Sequence, residues 1–326
     1  MSNPVDSMRH HHLILAAALA LLAVSCGKNG SPDPVGSGRE IKVSPAVGGT
    51  TRGSYTTETL SEFDLFVSNP RSSRYSYTNT RFTRNSEGKW LPESLMLWEM
   101  PAGQPQNVSL LALSPALETG GHSLSDTPVV NVEVEGRQSA ESRKSDLLYF
   151  ALGDDAASWQ NRFNAGGELM LEFSHAMSLF TIELTLGTEF NHDGVPETNP
   201  VTDLKVEGTV LKGVFQAEGD GYAVKASATD QAGAVYPYET EWTKAADRDG
   251  RCSARYECIL VPQTAGRLTV SFLVNGIPYK WTSAGASFRM GQSRNLPLNV
   301  GKDEVVAGEV TVGPWGDGGE NDIETE

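Results

Sequence analysis

The chain is poor in the residues that usually carry chemistry. Three of its six histidines are bunched at His10–His12, leaving His122, His175 and His192. None of these three lies two to four residues from another histidine or a cysteine, so no local zinc motif exists. GxSxG, HExxH, the P-loop and GxGxxG are all absent. With them go the usual signatures of hydrolases, zinc peptidases, nucleotide hydrolases and dinucleotide enzymes, so neither an enzyme nor a bound cofactor is expected. Positive charge is scarce as well: 26 Lys and Arg stand against 41 Asp and Glu, a formal charge of −15. Such a chain is repelled by nucleic acid and by anionic lipid headgroups. No helical repeat longer than two turns stands out. The one short helix expected is "LGDDAASWQNRF", Leu152–Phe163, with Asp154 and Asp155 in its first turn. The apolar run Leu13–Val24 has 12 residues, too few for the roughly 20 that span a bilayer.

What is present is β-pattern. Hydrophobic residues make up 39% of the 326, enough for packed cores, and at roughly 100–200 residues per domain two domains are expected. In "ELMLEFSHAMSLFTIELTL" the apolar set occupies odd positions from Leu169 to Leu179 and even positions from Phe180 to Leu186. Alternation marks a strand with one buried face. A change of parity turns that face over, so a bulge, a bend or a crossing between sheets must lie near Leu179–Phe180. His175 shares a face with Phe173 and Met177 and reads as part of the architecture rather than as a catalytic or metal-binding group. "LTVSFLVNGIPYKW" predicts a hairpin: Asn275-Gly276 suits a type I′ turn that pairs Val274 with Ile277, Phe272 with Tyr279 and Val270 with Trp281. Further strands are expected in "EIKVSPAV", "LSEFDLFVS", "NVSLLALSPA", "VVNVEVEG", "KVEGTV" and "EVTVGPW". Pro262, Pro278 and Pro314 should lie at strand ends or edges. The fold class is all-β, two sandwich-like domains over 40–167 and 168–326, divided near Gly166-Gly167.

The N-terminus reads as an export signal. A short basic start at Arg9–His12 precedes the apolar run, a length suited to a signal-peptide core. "LLAVSCGKNG" resembles the bacterial lipobox, which makes residues 1–25 a signal peptide and Cys26 the lipidated first residue of the mature protein. An ordinary secretory signal with a chance cysteine is the alternative. Removing residues 1–25 takes away Asp6 and Arg9 and leaves the net charge unchanged. "GKNGSPDPVGSGR" then forms a flexible tether, so that 26–39 links lipid to fold. Cys252 and Cys258 would be roughly 20 Å apart in one extended strand, too far for a disulfide. They are expected to be unpaired, unless the segment between them turns back.

Weaker sites have bland readings. "NHDGVPETNP" around His192 is a solvated turn. "WGDGGENDIETE" has spaced acids but lacks the EF-hand pattern, and reads as an acidic tail rather than a metal site. Tyr75, Tyr77, Phe82 and Trp90 could line a carbohydrate site, but such residues are more often alternating strand positions with exposed polar neighbours.

Taken in order, "CGKNG", "TTRGSYTTETLSEFDLFV", "LMLEFSHAMSLFTIELTL", "CILVPQ", "GQSRNLPLNV" and "VAGEVTVGPW" resemble the fimbrillin family of Bacteroidales surface pilins, from the lipobox to the last tryptophan. The resemblance implies two transthyretin-like β-sandwiches, export as an outer-membrane lipoprotein and assembly with other pilin subunits into a cell-surface fimbria. It also implies that an Arg-directed protease removes the lipidated first strand, carried here by "EIKVSPAV", with Arg52 and Gly53 flanking the cut. The vacated groove then accepts a strand from another subunit. The competing expectation is a permanently lipid-anchored surface protein that binds a glycan or host ligand without polymerising.

Overall fold

A computed structural model describes residues 39–48, 55–117, 129–140 and 144–315. Among these the secondary structure is strands, turns and two short 3-10 segments, so the all-β expectation holds. The first half supplies β1 (Val43–Val47), β2 (Glu62–Ser68), β3 (Tyr77–Arg84), β4 (Trp90–Pro92), β5 (Ser109–Ser114), β6 (Val130–Glu133), β7 (Leu148–Leu152) and β8 (Leu169–His175). The second supplies β9 (Ser178–Leu186), β10 (Val201–Thr209), β11 (Lys212–Glu218), β12 (Gly221–Ala226), β13 (Gly233–Val235), β14 (Tyr238–Thr243) and β15 (Cys252–Leu260). It continues with β16 (Gln263–Ala265), β17 (Leu268–Val274), β18 (Ile277–Ser283), β19 (Ala286–Phe288), β20 (Gln292–Val300), β21 (Val305–Ala307) and β22 (Thr311–Pro314).

The first sheet has seven strands in the order β1-β8-β7-β5-β2-β3-β4. It is buried on both faces at its centre, which is why β2 and β5 are near-continuous apolar runs. Phe63, Leu65 and Val67 of β2 join one core with Leu110 and Ala112 of β5, while Phe66, Leu111 and Leu113 join another. Phe63 anchors the first core, stacked on Phe82 at 5.1 Å and edge-on to Phe173 at 5.5 Å. The opposite core is closed by a three-stranded sheet, β12-β11-β6, whose strands come from both halves of the chain. In the second half, β14-β15-β9-β20-β21 packs over β13-β10-β17-β18 around Phe180, Ile182, Val270 and Phe272.

The change of parity marks a crossing. Leu169, Leu171, Phe173 and His175 are buried on β8, Phe180, Ile182, Leu184 and Leu186 on β9. Ala176-Met177 carries the chain from one sheet to the other, slightly earlier than the Leu179–Phe180 position expected. The expected division at Gly166-Gly167 likewise does not coincide with the change of sheet, because β8 pairs with β1 and β7 of the first sheet before the crossing. The hairpin has the expected register, with Val274 opposite Ile277, Phe272 opposite Tyr279 and Val270 opposite Trp281. Asn275 and Gly276 have φ of 51° and 80°, as a type I′ turn requires. Pro278 lies on the edge strand β18, and Pro314 ends β22.

The expected helix over Leu152–Phe163 is not there; the segment is a string of turns. Asp155 accepts the Ser158 N–H at 2.9 Å and bonds the Ser158 hydroxyl. The Trp159 indole N–H turns inward to the carbonyls of Val108 and Gly153, each at 3.1 Å. Asn161 then adopts φ 58°, which stops propagation after one turn. The buried indole outweighs the weak helix propensity of so short a piece.

Candidate functional site

The segment 39–48 lies at the edge of the first sheet. β1 runs parallel to β8, Val43 opposite Leu169 and Val47 opposite Phe173. Just before it, Glu40 bridges Leu97, and the Ile41 N–H donates to the Met96 carbonyl at 2.9 Å. The segment thus fills the space between β8 and the 96–98 segment. Ile41, Val43 and Val47 project into the core with exposures of 1%, 5% and 8%, whereas Ala46 faces solvent. Both ends are fastened. The Arg39 guanidinium donates to the carbonyls of Trp98 and Glu99 and lies over the Tyr75 ring at 5.2 Å. The Val47 N–H donates to the Thr57 hydroxyl at 3.0 Å, and the Gly48 N–H to the Phe173 carbonyl at 3.0 Å. The strand is short, and Pro45, which lacks an N–H, faces away from β8 as Val47 does, so the ladder loses no bond there.

A second feature sits where the sheets meet. His175 ends β8, fully buried, its Nδ1 at 2.9 and 3.1 Å from the two oxygens of Asp146, itself buried. A carboxylate only accepts, so Nδ1 carries the hydrogen. Nε2 has no hydrogen-bond partner among the described residues. The ring stacks on Trp315 with centroids 4.1 Å apart and planes 9° apart. Asp146 Oδ2 also accepts the Tyr55 N–H at 2.9 Å. His175 is therefore built into the architecture, as its alternation with Phe173 suggests. Asp146 gave no sequence signal; it is one acid before the apolar run "LLYF".

Cys26, Arg52 and Gly53 lie outside the described residues, as do His122 and the acidic tail 316–326. Cys252 and Cys258 are unpaired and buried on one continuous strand, β15, so the segment does not turn back. Burial pushes the Cys258 thiol up, with the charge of Glu257 adding to it, and keeps it protonated. His192 is exposed beside Asp193 in a turn. The four aromatics do not form one surface. Phe82 is fully buried, Trp90 packs against Phe63 at 5.1 Å, the Tyr77 hydroxyl donates to the Leu97 carbonyl at 3.1 Å, and Tyr75 lies under Arg39. Among the described residues no group of three His, Cys, Asp or Glu is placed to hold a metal, and no helix is long and apolar enough to cross a membrane.

Comparison with known proteins gives a family and a fold. The model of the family described as fimbrillin-like matches residues 50–315. No curated protein matches. Among solved structures, the chain is similar to a candidate cell adhesion protein of Bacteroides ovatus, at 12% identity and a TM-score of 0.58, over 85% of this chain and 97% of that one. It is also similar to a candidate cell adhesion protein of Bacteroides uniformis, at 16% identity and a TM-score of 0.53, over 85% and 98%. At these identities the structures speak to the fold alone.

Proposed function

The chain belongs to the fimbrillin-like family, and from that premise we propose that it is a subunit or accessory adhesin of a cell-surface fimbria, assembled by exchange of its N-terminal strand. Its role is structural rather than enzymatic. Residues 1–25 act as the lipoprotein signal, Cys26 carries the lipid to the outer membrane, and 26–39 is the tether. An N-terminal and a C-terminal sandwich follow, and cleavage between Arg52 and Gly53 separates the first strand from the rest.

The observation that carries this reading is the placement of 39–48. A strand immediately upstream of Arg52 occupies an edge of the first sheet, and its side chains Ile41, Val43 and Val47 fill core positions. Its loss would leave unpaired β8 backbone beside three apolar seats, the combination that β-strand addition uses. Replacing one strand by another exchanges equal numbers of backbone bonds. The drive therefore lies in side-chain fit, about 25 cal/mol per Å² of additional apolar burial. A short strand with an exposed Ala46 leaves room for a better occupant. The partners are other subunits of the same or a related chain.

Limited trypsin treatment of the mature chain tests the proposal. The wild type should give SDS-resistant ladders, and Arg52→Ala should stay monomeric. If the wild type is cleaved at Arg52 and its strand released, yet both stay monomeric, the exchange reading fails. The anchored surface protein then takes its place, and glycan binding by the intact monomer becomes the measurement that matters.

A further inference from the structure

Both ends of the described fold converge on one buried polar pair. β22 is held to β20 by the pairs Gln292–Pro314, Ser293–Gly313, Arg294–Val312 and Asn295–Thr311. Its own side chains are half-buried or exposed. The large side chain that anchors this end in the interior is Trp315, 6% exposed, with its backbone N–H on the Gly291 carbonyl at 2.9 Å. Trp315 lies flat on His175 at 4.1 Å. The plane of that imidazole is set by Asp146, and the same carboxylate accepts the Tyr55 N–H. Two residues beyond Tyr55, the Thr57 hydroxyl accepts the Val47 N–H. A second route is shorter: β1 ends opposite Phe173, two positions before His175 on β8.

We propose that the Asp146–His175 pair is a latch that couples the two ends of the fold, so that the seat of Trp315, and with it strand β22, depends on the N-terminal strand being in place. The inference rests on reading 39–48 as a removable strand, and it adds the means by which its departure is felt at the far end of the chain. The physical reason is the division of labour at Asp146. With Tyr55 fixed, the carboxylate has one orientation, and His175 has one ring plane to offer Trp315. When 39–48 lets go, β8 loses an edge partner and Tyr55 its nearby restraint at Thr57. The carboxylate then follows a donor whose segment has lost one of its ties, and the stack loses part of its fixed platform. His175 and Asp146 are positioning residues in this scheme; Trp315 is the group released.

Hydrogen exchange at the amides of Thr311, Gly313 and Trp315, which face β20, followed on the full uncleaved chain, tests the latch. Ile41→Ala weakens the seat of the N-terminal strand without touching Asp146, His175 or Trp315. It should speed exchange at those three amides at least tenfold more than at the paired β9–β15 amides of Ile182 and Tyr256, which report global unfolding. His175→Phe keeps a ring beneath Trp315 but removes the bond to Asp146. It should speed the same amides with the strand seated, and remove the further effect of Ile41→Ala. A rise at Thr311, Gly313 and Trp315 in Ile41→Ala no larger than at Ile182 and Tyr256 overturns the proposal, whatever the fate of the second variant. So does an Ile41→Ala effect that persists undiminished in His175→Phe, since a merely structural histidine would leave it intact. The readout is separate from assembly: ladders without coupling refute the latch alone, and coupling without ladders refutes only the exchange reading.

Discussion

Ile41→Ala probes what holds the N-terminal strand in its groove. The backbone bonds of 39–48 are generic, since any strand laid along β8 would make them. Identity lies in Ile41, Val43 and Val47, and Ile41 is the most buried, 1% exposed among the aromatic and aliphatic side chains of the first core. Truncating a fully buried isoleucine costs about 2–5 kcal/mol, the upper end where the site cannot collapse. The stacked Phe63 and Phe82 belong to the same core and make collapse difficult, so the expectation is about 3–4 kcal/mol in denaturant unfolding of the intact chain. At about 1.4 kcal/mol per factor of ten, the same loss should speed departure of the strand after cleavage by roughly 150- to 700-fold, because such changes fall mainly on the off-rate. The assay is recovery of a tagged N-terminal fragment with the cleaved body over time, with Ala46→Ser as the control. Ala46 is exposed, and that control should shift stability by no more than about 0.5 kcal/mol. Equal fragment loss from wild type and Ile41→Ala would refute the idea that these three side chains define the groove.

Two further substitutions test the second half of the chain. Gly208 sits in β10 with φ 109°, and a Cβ there would lie 2.0 Å from the Arg267 carbonyl oxygen, a backbone atom that cannot swing aside. Gly208→Ala should therefore cost about 3 kcal/mol or more, whereas Gly219→Ala, at φ 57° with open space around it, should cost about 1 kcal/mol; equal losses in denaturant melts would contradict the clash. Asn275→Val places a β-branched residue at φ 51° in the hairpin turn and should lower stability by about 1–2 kcal/mol, and an unchanged thermal melting point would show that the turn relaxes to another type.

Local pattern made the strands legible, and long-range pairing did not. The hairpin at Asn275-Gly276 could be read residue by residue because turn chemistry and alternation are both encoded within 16 neighbouring positions, Leu268–Ser283. The parity change at the β8–β9 boundary could be read because alternation reports the buried face directly. The parallel pairings of β1 with β8 and of β9 with β20 leave no such mark, since no turn connects the partners. The core opposite the first was hidden for a related reason. Phe66, Leu111 and Leu113 look like strand interiors of any kind, and nothing local says that β6, β11 and β12 cover them. At Leu152–Phe163 the acidic start resembles a helix cap, but burial of Trp159 decided the conformation, and burial is a tertiary fact.

The Asp146–His175 pair shows what alternation leaves undetermined. A strand that slips by one residue turns its apolar face outward, but one that slips by two keeps every side chain on its proper side. Leu169, Leu171 and Phe173 would satisfy the core in either in-phase register, because all three are large and apolar. A buried ionisable pair is poor evidence of stability, since removing both groups from water offsets much of their attraction. It is strongly selective, however, because a partner moved by two residues leaves a buried polar group unmatched. Only the observed register, with Leu148 opposite His175 and Tyr149 opposite Ser174, brings the imidazole to the residue that precedes the apolar run of β7. The histidine in the middle of an otherwise apolar segment thus fixes where β8 stops, and so where the chain crosses from one sheet to the next.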